Sequence, residues 1–391
     1  MKRTQVRWIP AILAPVLIAA TAVGLSVSAN AAVDLPDKSA SQILQLVSTN
    51  PDIAFSGKVV KKAQLGLPPM NIIPDISQSM IDQAAENMPE EMKDFLPQAS
   101  AQGSLALALE FAAGTHTANI YVDGANKARV QVLDILSERN FVRNGSDLWF
   151  YDAGKQVVQH SVINAEDERD ARNLALSFSA TSPAEVAEYF LAQAGTDTVF
   201  TVGKDIKVAG RGAYQLTMAP SSTGSLVESV SLSIDATTGL PLAVVVKAVG
   251  QSAPAFEVAF ESITFEKPDA SNFNFVSPAG AKVEEVVLPT QKDLAKYSDK
   301  APTDTDKSQA KAEFEKLKAQ GWSAVVEIPV AQVPAEIASL KANKLYVELT
   351  KSVSGGRIFS TALMNVFIAD DGRIFAGSVT EQRLLETARS N

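Results

Sequence analysis

Between Ser104 and Val276 the apolar residues recur at every second position. Leu105, Leu107, Leu109 and Phe111 alternate with small or polar residues. Val230, Leu232 and Ile234 alternate with Ser231, Ser233 and Asp235, and Phe256, Val258 and Phe260 with Glu257, Ala259 and Glu261. A period of two sends successive side chains to opposite faces, so these runs are strands with one apolar and one wet face. Asp123-Gly124, Asn144-Gly145, Thr238-Gly239 and Val249-Gly250 fall between the runs as turn signals. About eleven strands fit this pattern, and together they predict a curved antiparallel sheet with a long concave face.

Few helices are available to cover that face. Ile43, Leu44, Leu46 and Val47 recur at helical spacing behind Ser39 and Ser41, and a strand follows around 54–61. Residues 63–102 break the strand pattern with Leu67-Pro68-Pro69 and Ile73-Pro74. Ile76, Met80, Ile81 and Ala84 then share one helical face, continued by Met88, Met92, Phe95 and Leu96. This insertion reads as a helical flap. Ser182-Pro183 opens another helix, with Val186, Tyr189, Phe190 and Leu191 as its apolar stripe.

The ends of the chain have a different texture. Lys2, Arg3 and Arg7 precede an apolar run from Ile9 to Val27, and Ala29-Asn30-Ala31 matches a signal-peptidase site. Residues 1–31 therefore read as an export signal, which places the chain in the periplasm or the cell envelope. If it is not cleaved, the same run is long enough to anchor the protein in a membrane. The half-barrel region is expected over 32–287. Residues 288–307, charged and Pro-containing, read as a linker, and 308–391 as a small α+β domain. Its expected elements are helices at 308–319 and 335–340, strands at 324–330, 358–368 and 373–379, and a short terminal helix.

The composition narrows the chemistry. The 391 residues include no Cys and two His, and carry a formal charge of −9. Disulfides, thiolate metal sites and cysteine nucleophiles are excluded, as are multi-histidine metal centres. An acidic chain without a basic block is a poor partner for nucleic acid. His116 and His160 read as surface or strand-end residues rather than bases. The acidic run Glu166, Asp167, Glu168 and Asp170 lacks EF-hand spacing, and Ser354-Gly355-Gly356 is followed by no Gly-Lys-Ser/Thr. Glu90 and Glu91 read as a helix-surface pair. The expectation is a protein that is not an enzyme and uses no cofactor. Its apolar concavity is either filled by its helices or left open as a ligand cavity.

A family resemblance favours the open form. Asn144-Gly145-Ser146-Asp147-Leu148-Trp149-Phe150-Tyr151 resembles the strand-turn-strand of the LolA-type lipoprotein carriers. Ile234-Asp235, Thr238-Gly239-Leu240-Pro241-Leu242, Phe260 to Ile263 and Phe273-Asn274-Phe275-Val276-Ser277-Pro278-Ala279-Gly280 resemble that family's closing segment in the same order. The opening helix and Phe55-Ser56-Gly57 also sit where the family places them, so the resemblance covers roughly residues 38–287. It implies a half-open β-barrel around helices that carries lipoprotein acyl chains. The same superfamily includes RseB/MucB-type regulators, which bind an envelope-stress anti-sigma factor. The arginine that holds the classical carrier's lid falls at Gly124 or Ala125 here, so that gate is not expected. The flap and the C-terminal domain have no counterpart in the short carriers.

The expected function is an exported carrier that holds acyl chains of a lipid or lipoprotein in an apolar cavity. The alternative is an RseB/MucB-like module that binds an anti-sigma factor or other protein partner. The cavity lining is expected from Val130, Val132, Leu232, Ile234, Val244, Val246, Phe256, Val258 and Phe260, with Trp149 and Phe150 nearby. Met80, Ile81, Met88 and Met92 are the expected lid, because methionine adapts to varied apolar surfaces. The protein is expected to be a monomer.

Overall fold

The computed structural model describes residues 33–48, 53–67, 114–133, 138–163, 182–195, 197–287, 320–330, 333 and 344–390. The signal region, the lid methionines, the Leu105–Phe111 run, the linker and the helices expected at 308–319 and 335–340 lie outside them.

Two sheets make up the described chain. Helix α1 (Ala40–Ser48) precedes strands β1 (Phe55–Ala63), β2 (Gly114–Val122), β3 (Lys127–Leu133), β4 (Glu138–Asn144), β5 (Asp147–Asp152) and β6 (Val157–Val162). Helix α2 (Pro183–Gln193) leads to β7 (Thr198–Val202), β8 (Ile206–Val208), β9 (Arg211–Pro220), β10 (Val227–Asp235), β11 (Pro241–Ala248), β12 (Phe256–Thr264) and β13 (Lys282–Glu285). These strands form one open sheet in the order β13-β6-β5-β4-β3-β2-β1-β12-β11-β10-β9-β7, with β8 also pairing β9. The count is thirteen rather than about eleven, because β1 and β13, on either side of the alternating region, join the same sheet. β13 also breaks the antiparallel rule by pairing parallel with β6.

Local chemistry accounts for the element boundaries. Ser182 Oγ accepts from Glu185 N at 3.3 Å and Glu185 Oε2 accepts from Ser182 N at 3.4 Å, a capping box ahead of Pro183. The β10–β11 turn is built on Asp235. Its Oδ1 accepts from Thr237 N, Thr238 N and Thr238 Oγ1 at 3.1, 2.7 and 2.9 Å. Two glycines of the resemblance have steric roles. A Cβ on Gly239 (φ +74) would meet Leu46 O at 2.2 Å, so this turn admits α1 only without a side chain. A Cβ on Gly57 would lie 2.8 Å from the Phe260 ring.

Residues 265–281 form a strap across the outer face of the sheet, from the end of β12 to the start of β13. Lys267 Nζ lies 3.2 Å from Asp123 Oδ2, Arg129 Nη1 donates to Asn272 O at 3.4 Å, and Asn144 Nδ2 donates to Asn274 Oδ1 at 3.3 Å. Phe273, in the one-turn helix Ala270–Phe273, is buried beneath it.

The second sheet contains β14 (Val326–Ile328), β15 (Thr350–Val353), β16 (Gly356–Ser360), β17 (Asn365–Ala369) and β18 (Ile374–Gly377), in the order β14-β18-β17-β16-β15. Helices α3 (Lys344–Leu349) and α4 (Glu381–Ser390) flank these strands, and Leu384 of α4 is buried with Ile358, Phe367 and Phe375. The single strand expected over 358–368 is two strands. Thr361 reverses the chain between them: its Oγ1 accepts from Leu363 N and Met364 N at 3.3 and 2.9 Å. Helix α3 was not anticipated.

The sheets are bolted together. Leu226 N donates to Ser378 O at 2.8 Å and Thr380 N to Gly224 O at 2.9 Å. Trp322 stacks on Phe190 and its Nε1 donates to Thr198 Oγ1 at 2.9 Å, while Leu363 and Met364 belong to the core of the large sheet.

Candidate functional site

Cross-strand pairing assigns each side chain to a face. Directly opposed residues share a face, so the rows Val59–Phe260, Lys61–Val258, Ile120–Val130, Val132–Ala118, Val130–Phe141 and Phe141–Phe150 all lie on one side. The pairs Leu232–Val244, Val244–Val258 and Val246–Phe256 continue this side into β10 to β12. This is the inner face, the one that carries the bulky apolar residues. Ten of the eleven residues proposed as lining point there: Val130, Val132, Phe150, Leu232, Ile234, Val244, Val246, Phe256, Val258 and Phe260. Trp149 does not. It pairs with Val142 and His160 on the outer face, because it is one residue out of phase with Phe150.

The inner face has two unlike halves. Leu232, Ile234, Val244, Val246, Phe256 and Val258 are wholly buried, in one cluster with Ile43 of α1 and Val186, Ala187 and Phe190 of α2. Phe55 meets Phe260 edge to face at 5.8 Å. Across β1, Val130 and Val132 belong to a separate small cluster whose described members are Ala118 and Phe141. Phe141 packs on Phe150 at 4.7 Å, and Leu148 and Phe150 are only half-buried.

Pattern reading missed the polar content of this second half. Lys61, His116, Arg139 and Arg143 are buried on the inner face of β1, β2 and β4. His116, read from the sequence as a surface or strand-end residue, lies near the start of β2 but is only 8% exposed and sits opposite Lys61. Arg143 braces the β4–β5 turn, donating from Nε to Gly145 O at 3.1 Å and from Nη2 to Asn126 Oδ1 at 3.0 Å. The period-two register was the available signal, since residues 139 and 143 share parity with Phe141.

On the outer face, Arg129 donates to Asn140 Oδ1 from Nε and Nη2 at 3.1 and 2.9 Å. Glu138 Oε1 accepts from Gln131 Nε2 at 2.8 Å and also from Asn140 Nδ2. Beside this ladder, His160 stacks on Trp149 with ring centroids 3.8 Å apart, and Trp149 stacks on Phe275 of the strap at 5.2 Å. A cleft of about 480 Å³ lies at the junction of the two sheets, lined by Gln64, Leu65, Gln251, Ser360, Thr361 and Ala362. It is not on the inner face, where the sequence placed a cavity. Among the described residues there is no group of three or more side chains arranged to hold a metal ion, and no helix is long and apolar enough to cross a membrane.

No family model matches the chain, and no curated protein matches it. It is similar to solved structures of MucB and of a LolA superfamily protein. The MucA/MucB complex of Pseudomonas aeruginosa is 13% identical over 89% of this chain and 96% of that one, with a TM-score of 0.40. A crystal structure of MucB is 14% identical over 61% of this chain, at a TM-score of 0.35, and the match spans 63% of that protein, less than two thirds of its length. The LolA superfamily protein NE2245 from Nitrosomonas europaea is 10% identical over 61% of this chain and 99% of that one, with a TM-score of 0.25.

Proposed function

We propose that the protein is a non-catalytic binding protein of the envelope that shelters acyl chains on the inner face of β2 to β6. The observation that carries this reading is the division of the inner face. Helices α1 and α2 share one packed cluster with β9 to β12, whereas Val130 and Val132 are buried in a separate small apolar cluster, edged by the half-buried Phe141, Leu148 and Phe150. An acyl chain laid along it leaves water at about 0.8 kcal/mol per buried CH₂, offset by the cost of displacing whatever covers the surface. In this reading the first contacts are Val130, Val132 and Phe150. Leu232, Ile234, Val244, Val246, Phe256, Val258 and Phe260 form the packed wall beside them and take part only if α2 moves.

The reading is tested with a fluorescent fatty acid titrated into the intact protein, alongside native mass spectrometry of protein purified gently from its host. Phe150→Ser is expected to weaken uptake at least tenfold, while Thr117→Ser on the outer face leaves it unchanged. No uptake by the wild type, together with a clean unliganded mass, overturns the carrier reading.

A second reading, a module for a protein partner, is favoured by the sheet edges. β7 ends one side of the large sheet and exposes Val199 and Val202, and β13 ends the other and exposes Val283. Unpaired edges of this kind accept an added extended strand.

A further inference from the structure

The parallel strand β13 is attached to the sheet by few groups. Its backbone registers on β6, with Lys282 N donating to Gln156 O at 2.9 Å and Val286 N to His160 O at 2.7 Å. Glu285 and His160 are direct cross-strand partners on the outer face. His160 Nδ1 lies 2.8 Å from Glu285 Oε2, and His160 Nε2 lies 2.8 Å from Asp147 Oδ1. One imidazole therefore joins β5, β6 and β13. Both ring nitrogens face carboxylates, an arrangement that two N–H donors satisfy and one does not.

We propose that His160 is a pH-operated latch: as the imidazolium it ties β13 to β5, and on losing a proton it releases β13 from the edge of the sheet. A neutral ring keeps one N–H. It retains one carboxylate and turns a lone pair toward the other, so a hydrogen bond becomes a repulsion. The stack on Trp149 also favours the cation, because the ring face is negative. The groups facing His160 are Asp147 from β5, Glu285 from β13, and Trp149 with Phe275 of the strap behind it. Lys282 and Glu284 pair with each other on the opposite face of β13.

Burial opposes the charge on His160, but the hydrogen bonds to Asp147 and Glu285 and their charges outweigh it, holding the imidazole above its ordinary value. A group whose folded value is raised contributes stability that is fully present below the unfolded value and is lost as pH rises through the folded one. The latch is therefore closed in mildly acidic solution and opens above the ordinary histidine range. Residues 265–281 stay held at Asp123, Arg129 and Asn144 when it opens. Release is confined to β13.

The test is amide hydrogen exchange on the whole protein from pH 5 to 8, with protection factors corrected for intrinsic exchange and His160 titrated by NMR alongside. The amides of Lys282 and Val286 are expected to lose protection at least tenfold, with a midpoint that tracks the His160 titration, while those of β3 and β4 do not change. His160→Gln should abolish the step. Glu285→Gln, a milder change at an exposed position, should lower the His160 value and reduce the step. Protection of β13 that is flat across this range, or a step that persists in His160→Gln, overturns the latch.

Discussion

The two halves of the large sheet obey the same alternation and are covered in opposite ways. In β9 to β12, alternation fills the inner face with wholly buried aliphatic and aromatic side chains clustered with two helices. In β1 to β6 the same period places Lys61, His116, Arg139 and Arg143 among a few valines, with half-buried aromatics at the edge. A period of two assigns a residue to a face, but not to what lies on that face. One half is built as an apolar core, and the other mixes buried charged and apolar side chains.

The contrast is broken most directly by truncating both halves. Phe256→Ala is expected to cost about 3–5 kcal/mol, because wholly buried aromatics leave cavities that packed surroundings cannot close. Phe150→Ala should cost about 1 kcal/mol and act mainly on ligand uptake. Denaturant melts of the two variants compare them, and equal losses would show that the β2–β6 half is ordinary core.

Asp235 sharpens the picture of the packed half. Burial opposes its ionisation, but the hydrogen bonds from Arg211 and Thr238 hold the carboxyl below its usual range. Its stabilisation is present above the ordinary carboxylate value and lost as pH falls through the depressed one. Asp235→Asn should cost about 3 kcal/mol at neutral pH, since it leaves Arg211 facing an amide. The deficit should shrink in acid, which melts at pH 3 and pH 7 compare.

Ser182→Ala removes the cap that starts α2, and with it about 1 kcal/mol. If α2 moves when ligand enters, this variant should bind acyl chains more tightly while melting earlier. The smallest effect is expected at Glu257, buried on the outer side of β12, where desolvation raises the carboxyl against the opposing charge of Lys62. A raised carboxylate weakens the fold as pH climbs through it. Glu257→Gln should therefore stabilise by about 1 kcal/mol or less at neutral pH and have no effect in acid.

Much of this architecture was legible in the sequence. The turns at Gly124, Gly145, Gly239 and Gly250 all fall at positive φ, the Ser182-Pro183 start is a capping box, and the alternating runs at 230–234 and 256–260 are strands. Faces were harder. Trp149 went astray because Trp149 and Phe150 are adjacent, so an aromatic pair cannot lie on one side of a strand. Glu257 and Asp235 were expected to be wet, yet both are buried, because alternation within a strand carries no record of what later packs on its polar side. The parallel strand β13 gave no signal: four residues, Lys282 to Glu285, are too short and too charged to read as a strand, and backbone bonds to β6 with a histidine bridge define it.

The place of β1 has a consequence for assembly. It is the first strand among the described residues, yet it lies in the middle of the thirteen-stranded sheet, between β2 and β12. Its pairing with β2 is close in sequence compared with its pairing with β12, where Ser56 meets Thr264. Until β12 has emerged, one side of β1 is an open edge bearing Val59 and Val60, and the closure that finishes the sheet is among the longest loops the chain must make. A nascent chain would therefore carry a sticky central strand for most of its synthesis, and its yield should respond more to whatever shields that edge than to the stability of the finished fold.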